Sequence, residues 1–149
     1  MSVFFDTNVV LEYLLDRRNS DVVEQVLSYL KRVNSLKYLS SGSFYTLAYL
    51  LEVEFKRRGF EGDARLEQLR GALNVLLSEY VIVGDLDWKK GVGDIRFSDL
   101  EDSFQFQAAL SAGCSVLLTF NVHDFKHVLS SHSLSVLTPA EYLSLYCNK

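Results

Sequence analysis

The sequence predicts an α/β domain in which helices cover both faces of a central parallel β-sheet. Short, nearly continuous apolar runs alternate with longer segments of helical periodicity, and such runs are typical of strands buried on both faces. The 149 residues suit one domain with a sizeable core. A hydrophobic fraction of 48% with a single proline argues against disorder.

Five apolar runs predict the strands of the sheet, with β-branched residues prominent in the third and fourth. In chain order they lie at residues 2–5, 38–39, 80–83, 115–119 and 134–137. Between and after these runs, apolar residues that recur at helical spacing predict seven helices. The helices cover residues 9–15, 20–33, 43–58, 64–77, 87–92 and 98–112, and the last begins at residue 139.

Capping signals mark several helix ends. Ser20 is a plausible N-cap for the second helix. Ser98 with Glu101 and Thr138 with Glu141 have the spacing of capping boxes, the second with a proline at the first helical position. The glycines at positions 59 and 113 are suited to end the third and sixth helices.

Charge and composition restrict the class of protein. The net charge of −4 lacks the basic character of a module that binds nucleic acid through Lys and Arg alone, but suits an enzyme that brings cations to carboxylates. Cys114 and Cys147 are too few for a disulfide or zinc framework, so reduced thiols are expected. No apolar run approaches the ~20 residues that span a bilayer, and the start lacks a signal peptide. We therefore expect a cytoplasmic protein without a membrane segment.

Acidic side chains stand at three predicted ends of secondary structure. Asp6 directly follows the first strand, Asp124 follows the fourth strand together with Asn121, and Asp99 and Asp102 begin the sixth helix. Each group alone is also explained by helix capping or by the helix dipole. Ligands of parallel sheets bind beyond the carboxyl ends of the strands, so together the groups predict an acidic pocket that binds a divalent metal.

The acids of the sixth helix differ in expected role. Asp99 and Asp102 are three residues apart and share one helical face, where two like charges repel unless a cation lies between them. The capping box already accounts for Glu101.

Four segments resemble the PIN domain, and within it the VapC-like toxin ribonucleases. VFFDTNVVLEYLL is similar to the opening signature, LEDSFQ to the segment with the family's third acid, and TFNVHDF to its closing pattern; LTPAEYL also fits. These segments lie at residues 3–15, 100–105, 119–125 and 137–143, so the resemblance extends over essentially the whole chain.

The resemblance implies a three-layer α/β/α sandwich and a Mg²⁺- or Mn²⁺-dependent endoribonuclease site. It implies that Asp6, Asp102 and Asp124 are metal ligands and catalytic acids, with Asn121 beside them. The expected supporting residues, which would hold the pocket through hydrogen bonds, are Thr7, Asn8 and Thr119.

The sequence departs from the family pattern at one acid. PIN nucleases usually carry a second acid early in the third helix, and the matching position here is Thr46. Glu52 and Glu54 lie about two turns further along that helix, too far away to replace it. Asp99 is therefore expected to supply the missing charge as a further catalytic residue and metal ligand.

The function implied is hydrolysis of RNA phosphodiester bonds by the toxin of a type II toxin–antitoxin pair. Its expected partners are RNA, an antitoxin that fills an apolar groove and covers the acids, and a second copy of the chain in a homodimer. Arg17, Arg18 and Lys126 are candidates for contacts with RNA phosphates, with ordinary solvated surface as the alternative. The histidines at positions 123, 127 and 132 lack zinc-site spacing.

Two alternatives belong to other classes. A catalytically impaired PIN-fold module that binds RNA or protein would explain the missing second acid. An unrelated metal-dependent phosphatase or receiver-like domain is disfavoured, because a receiver needs paired acids after the first strand and a late lysine after a strand, and neither is found.

Overall fold

The computed structural model describes residues 1–84, 88–128 and 133–148. Within these residues five parallel strands form one sheet in the order β3-β2-β1-β4-β5. The strands are β1 (Ser2–Phe5), β2 (Leu36–Ser40), β3 (Val81–Val83), β4 (Val116–Leu118) and β5 (Ser135–Leu137). The predicted central parallel sheet is therefore confirmed.

The helices are α1 (Thr7–Leu14), α2 (Ser20–Arg32), α3 (Ser41–Arg57), α4 (Gly62–Glu79), α5 (Trp88–Gly93), α6 (Leu100–Ser111) and α7 (Pro139–Tyr142). A 3-10 helix spans Val122–Val128, and a π-helical turn, Leu143–Cys147, follows α7. The observed β2 is longer than the strand predicted at residues 38–39. The predicted start of the fifth helix, at residue 87, lies outside the described residues.

Side chains alternate between the two faces of the sheet. On β1, Val3 and Phe5 pack into one core with α1, α2, α3 and α4, whereas Phe4 packs into a second core with α6. The strand β4 divides in the same way, because Leu117 faces the second core and its neighbours face the first. This alternation follows from the two-residue period of a strand. It confirms the predicted three-layer α/β/α sandwich.

Two of the predicted caps are wrong and one is confirmed. Asn19 rather than Ser20 occupies the N-cap of α2 and makes no side-chain cap. Asp99 rather than Ser98 caps α6, because its carboxylate accepts a hydrogen bond from the Glu101 amide. Thr138 caps α7 as expected by accepting from the Glu141 amide.

The predicted glycine stops are confirmed. Gly59 (φ +94°) follows α3 and Gly113 (φ +67°) follows α6, and glycine adopts this left-handed backbone without a Cβ penalty. Among the described residues, no helix combines the length and the apolar character needed to cross a membrane.

The strand order locates the site. From β1 the chain proceeds outward to β2 and β3 on one side, and then returns to place β4 and β5 on the other. The order therefore reverses between β1 and β4, and such a switch point leaves a crevice at the carboxyl ends of the strands. Asp6 and Thr119, which directly follow β1 and β4, stand at this crevice.

Candidate active site

Asp6 is the buried centre of the crevice, with 4% of its surface exposed. Its Oδ1 accepts hydrogen bonds from the Thr7 amide at 2.8 Å and from Gln105 Nε2 at 3.1 Å. Its Oδ2 accepts from the Thr119 hydroxyl at 2.7 Å. Asp6 is thus both the N-cap of α1 and an oriented carboxylate that faces the carboxyl edge of the sheet. Its two functions therefore do not exclude each other.

A network of neutral polar groups lies behind Asp6. Gln105 Nε2 is 2.6 Å from Ser43 Oγ and 3.2 Å from Thr7 Oγ1, while the Ser40 hydroxyl donates to Gln105 Oε1 at 2.7 Å. The hydroxyls of Thr7 and Ser43 are 2.7 Å apart. These contacts join α1, β2, α3 and α6. They fix the side of the pocket that adjoins α3.

The loop after β4 is joined to the start of α1. The Asn8 side chain donates a hydrogen bond from Nδ2 to the Thr119 hydroxyl at 3.5 Å. Its Oδ1 accepts a hydrogen bond from the Phe120 amide at 3.3 Å. The Asn121 amide also bonds Thr119 Oγ1, at 3.0 Å, and the Asn121 carbonyl accepts from the Asp124 amide. Asn121 thus positions Asp124 through its backbone, and its own side chain is exposed.

The N-terminal turn of α6 brings three acids to the same crevice. Asp102 is buried, at 7% exposure, and within the described chain its carboxylate accepts no hydrogen bond. Asp99 is exposed and caps the helix. Glu101, expected to be engaged in a capping box with Ser98, instead lies near Thr7, whose hydroxyl is 3.4 Å from Glu101 Oε1. Asp99 takes the place predicted for Ser98 at the cap, and the Glu101 side chain faces the crevice.

The acids interact strongly with one another. Burial, followed by the charges of Asp6, Asp99, Asp124 and Glu101, raises the pKa of Asp102 to about 7. Burial also raises the pKa of Asp6, and the hydrogen bonds from Gln105, Thr119 and Thr7 oppose this increase. The pKa of Glu101 rises through burial and through the charges of Asp6 and Asp99. All five acids therefore share one local field.

The donor set suits a hard divalent cation. Carboxylate oxygens are the ligands that Mg²⁺ prefers, and the mutual repulsion around Asp102 is the kind that a cation relieves. Within residues 1–84, 88–128 and 133–148, no three His, Cys, Asp or Glu side chains converge as a complete set of ligands. Mg²⁺ commonly binds through one or two carboxylates and retains waters, so such a set is not required.

Gln105, Ser43 and Glu101 contribute to the crevice but were not predicted from the sequence. Gln105 lies one turn after Glu101 and Asp102 on the same helical face, and this spacing was the available signal. A glutamine or serine carries no charge to mark it as functional, and the contacts of Gln105 cross 62 or more positions of sequence.

Of the three basic residues predicted to contact RNA, two lie away from Asp6 and one lies close to Asp124 in the chain. Arg17 and Arg18 are exposed beyond the C-terminal end of α1, whereas Asp6 caps its N-terminus, so the eight residues of the helix, about 12 Å of rise, separate them. Lys126 is exposed on the 3-10 helix that also carries Asp124.

The remaining candidates are also located. His127 packs its ring against Phe97, with 5.0 Å between centroids, and His123 is exposed. His132 lies outside the described residues. Glu54 is engaged by Arg57 and Arg58, and Glu52 is 3.8 Å from Arg65.

Thr46 stands in the place of the expected second acid. It lines a cleft of about 200 Å³ that also contains Ser43, Gln105 and Glu101. The cleft therefore has one acid among these four residues, and that acid comes from α6 rather than α3.

The fold and the site define an α/β protein with an acid-lined crevice at the switch point of a parallel sheet. The profile of the PIN domain matches residues 2–123. The chain therefore belongs to the PIN domain family.

Two relatives extend this comparison over nearly the whole chain. Ribonuclease VapC1 of Aquifex aeolicus (strain VF5) is 26% identical over 144 residues, which cover 94% of this chain and 92% of that protein. The crystal structure of VapBC2 from Rickettsia felis bound to a DNA fragment from their promoter contains a similar chain, with a TM-score of 0.66 and 18% identity. The match covers 93% of this chain and 98% of that one, and it supports the fold.

Proposed function

We propose that this protein is a Mg²⁺- or Mn²⁺-dependent endoribonuclease that hydrolyses RNA phosphodiester bonds. The observation that supports it most directly is the convergence of Asp6, the α6 acids and Asp124 on the switch-point crevice. The similarity to a protein named as a ribonuclease supports the choice of RNA. The charge of −4 agrees with a site that recruits its positive charge as metal.

The proposed division of labour follows from the contacts. One or two of the carboxylates of Asp6, Asp102 and Asp124 would hold the metal directly and waters would complete its shell, with Asp99 or Glu101 as a further acid. A bound divalent ion would supply a water of lowered pKa and positive charge for the phosphate oxygens. Thr119 and Gln105 orient Asp6 by donating to opposite oxygens of its carboxylate. Asn8 holds Thr119 and the following loop against α1.

We also propose that the protein is the toxin of a type II toxin–antitoxin pair. The support is the relation to proteins named VapC1 and VapBC2. The proposed antitoxin would fill an apolar groove and cover the acids, which would inhibit cleavage until it is removed. Purified protein must therefore be freed of any bound partner before its activity is measured.

A homodimer is proposed on the basis of an exposed stripe of α3. Tyr45, Tyr49 and Val53 are four residues apart and 75%, 67% and 49% exposed, so one helical face carries large unburied side chains. Tyr49→Asp should convert a dimer into a monomer in sedimentation equilibrium. An unchanged mass would remove this face from the proposed interface.

A PIN-fold binding module without catalytic activity is the second candidate. Thr46 and the neutral network of Gln105 and Ser43 favour it, because they occupy the side of the pocket where a second acid would strengthen metal binding. Such a module would still bind RNA or protein through the same crevice.

A cleavage assay separates the two candidates. Partner-free protein is incubated with labelled single-stranded RNA in Mg²⁺, in Mn²⁺ and in EDTA, with Asp6→Asn protein as the control for contaminating nucleases. Endonucleolytic products that require metal and Asp6 are expected. Absence of cleavage with either metal, while RNA remains bound, would overturn the enzyme in favour of the binding module.

A further inference from the structure

The cleft beside the acids has an aromatic wall that the proposed reaction does not use. Its lining residues from α5 and α6 are Trp88, Glu101, Phe104 and Gln105, opposite Thr46 and Ser43 of α3. Trp88 is 51% exposed, although its ring is the largest in the chain. Large aromatic side chains normally bury most of their surface, so one exposed in a cleft marks a ligand contact.

The position of Trp88 is fixed by contacts of its short helix. Its ring meets Phe104 edge to face, with 5.3 Å between centroids. One turn later, the Gly91 carbonyl accepts a 2.7 Å hydrogen bond from the buried Ser103 hydroxyl. A Cβ at Gly91 would lie 2.7 Å from the Phe104 ring, so only glycine allows α5 to approach α6 this closely. The exposed indole is therefore anchored to the helix that carries the acids.

The cleft adjoins the acid pocket. Gln105 lines the cleft and also donates to Asp6, and Glu101 lines the cleft while it contacts Thr7. One side chain thus separates the cleft from the central carboxylate. An RNA strand with a phosphate at the acids can therefore place a neighbouring base beside Trp88.

We propose that the cleft between Trp88 and Thr46 binds an unpaired nucleobase of the RNA by stacking it on the indole. This assignment rests on the proposed function and adds a subsite for the base next to the cleaved phosphate. Aromatic side chains are the usual platforms for unstacked RNA bases. Lys89, the exposed neighbour of Trp88 on α5, carries a positive charge of the kind that contacts RNA phosphates.

The chain contains a single tryptophan, so its fluorescence reports on this cleft alone. Partner-free protein in EDTA, which prevents metal-dependent cleavage, is titrated with hexaribonucleotides of A, C, U and alternating GU. An abasic hexamer with the same phosphates is the control. Saturable quenching by one or more hexaribonucleotides, and none by the abasic hexamer, is expected.

Variants test the same contact without relying on the signal of the indole. Trp88→Ala should weaken binding of fluorescein-labelled hexamer about 10-fold in anisotropy, because stacking of a base on an aromatic ring is lost. Trp88→Phe should recover part of this loss. Ile95→Ala is the matched control, because Ile95 is 97% exposed and does not line the cleft.

The outcomes distinguish the subsite from the enzyme. Tight RNA binding with unchanged fluorescence and with normal affinity in Trp88→Ala would overturn the base subsite while leaving the ribonuclease intact. Quenching by RNA in a protein that cleaves nothing with Mg²⁺ or Mn²⁺ would support the subsite and overturn the ribonuclease. Failure to bind any of the hexamers, in EDTA and in Mg²⁺ alike, would overturn the subsite.

Discussion

Asp6 and Asp102 are buried to nearly the same degree, yet their surroundings are opposite. Asp6 receives hydrogen bonds from an amide, a hydroxyl and a glutamine side chain. Asp102 receives none from the described residues and lies among four other acids. A buried charge is normally hydrogen-bonded, paired or bound to metal. The fold itself supplies hydrogen bonds to the Asp6 carboxylate, whereas the Asp102 carboxylate is left to solvent, a proton or a cation.

Removing the charge of the oriented carboxylate should have the largest effect. The two carboxylate oxygens of Asp6 together accept three hydrogen bonds. Asp6→Asn keeps the size of the side chain but replaces one of these oxygens with an NH₂ group, which can only donate. Cleavage of RNA should fall by more than about 100-fold, because several kcal/mol of metal-based stabilisation depends on this charge. The measurement is kcat/KM with labelled RNA, and circular dichroism checks the fold. Unchanged cleavage would exclude Asp6 from the chemistry.

Two acids of α6 compete for the role of the missing second acid. Glu101→Gln should lower kcat/KM and the apparent Mg²⁺ affinity about 10-fold, as a lost outer ligand typically does. Asp99→Asn should lower both less, since the Asp99 carboxylate is already engaged as the cap of α6, and should leave the melting temperature unchanged because asparagine also caps helices. A larger loss for Asp99→Asn than for Glu101→Gln would restore Asp99 as the replacement.

The smallest expected effect is on stability. Folding raises the pKa of Asp102 from 3.8 to about 7, so the folded form holds this proton more tightly and loses stability as the pH rises through that interval. Asp102→Asn removes the penalty. In EDTA it should melt a few degrees above the wild type at pH 8 and at the same temperature near pH 4.

Added Mg²⁺ provides the matching control. It should stabilise the wild type at pH 8 and narrow the difference from Asp102→Asn, because a ligand of the folded state raises its stability. Equal melting temperatures of the wild type and Asp102→Asn at pH 8 in EDTA would show that burial and the neighbouring carboxylates do not destabilise the ionised form of Asp102. The contrast between Asp6 and Asp102 would then disappear.

The layers of the fold, and the edge of the sheet at which the acids stand, could be predicted from the sequence alone. Nearly continuous apolar runs and a 3.6-residue helical period are local properties, so the parallel sheet, most element positions and the strands that Asp6 and Asp124 follow could be predicted from them. The glycine stops at residues 59 and 113 are equally local, because they depend on backbone conformation at one residue.

Which acids lie close enough to interact, and which neutral groups hydrogen-bond to them, depends on contacts between elements that are distant in the sequence. Asp99 rather than Ser98 caps α6, and the Glu101 side chain lies near Thr7, 94 positions away in the chain. Gln105 reaches Asp6 across 99 positions and Ser43 across 62. Contacts over such separations depend on how α3 and α6 pack on β1 and β2, and no periodicity along the sequence encodes that packing.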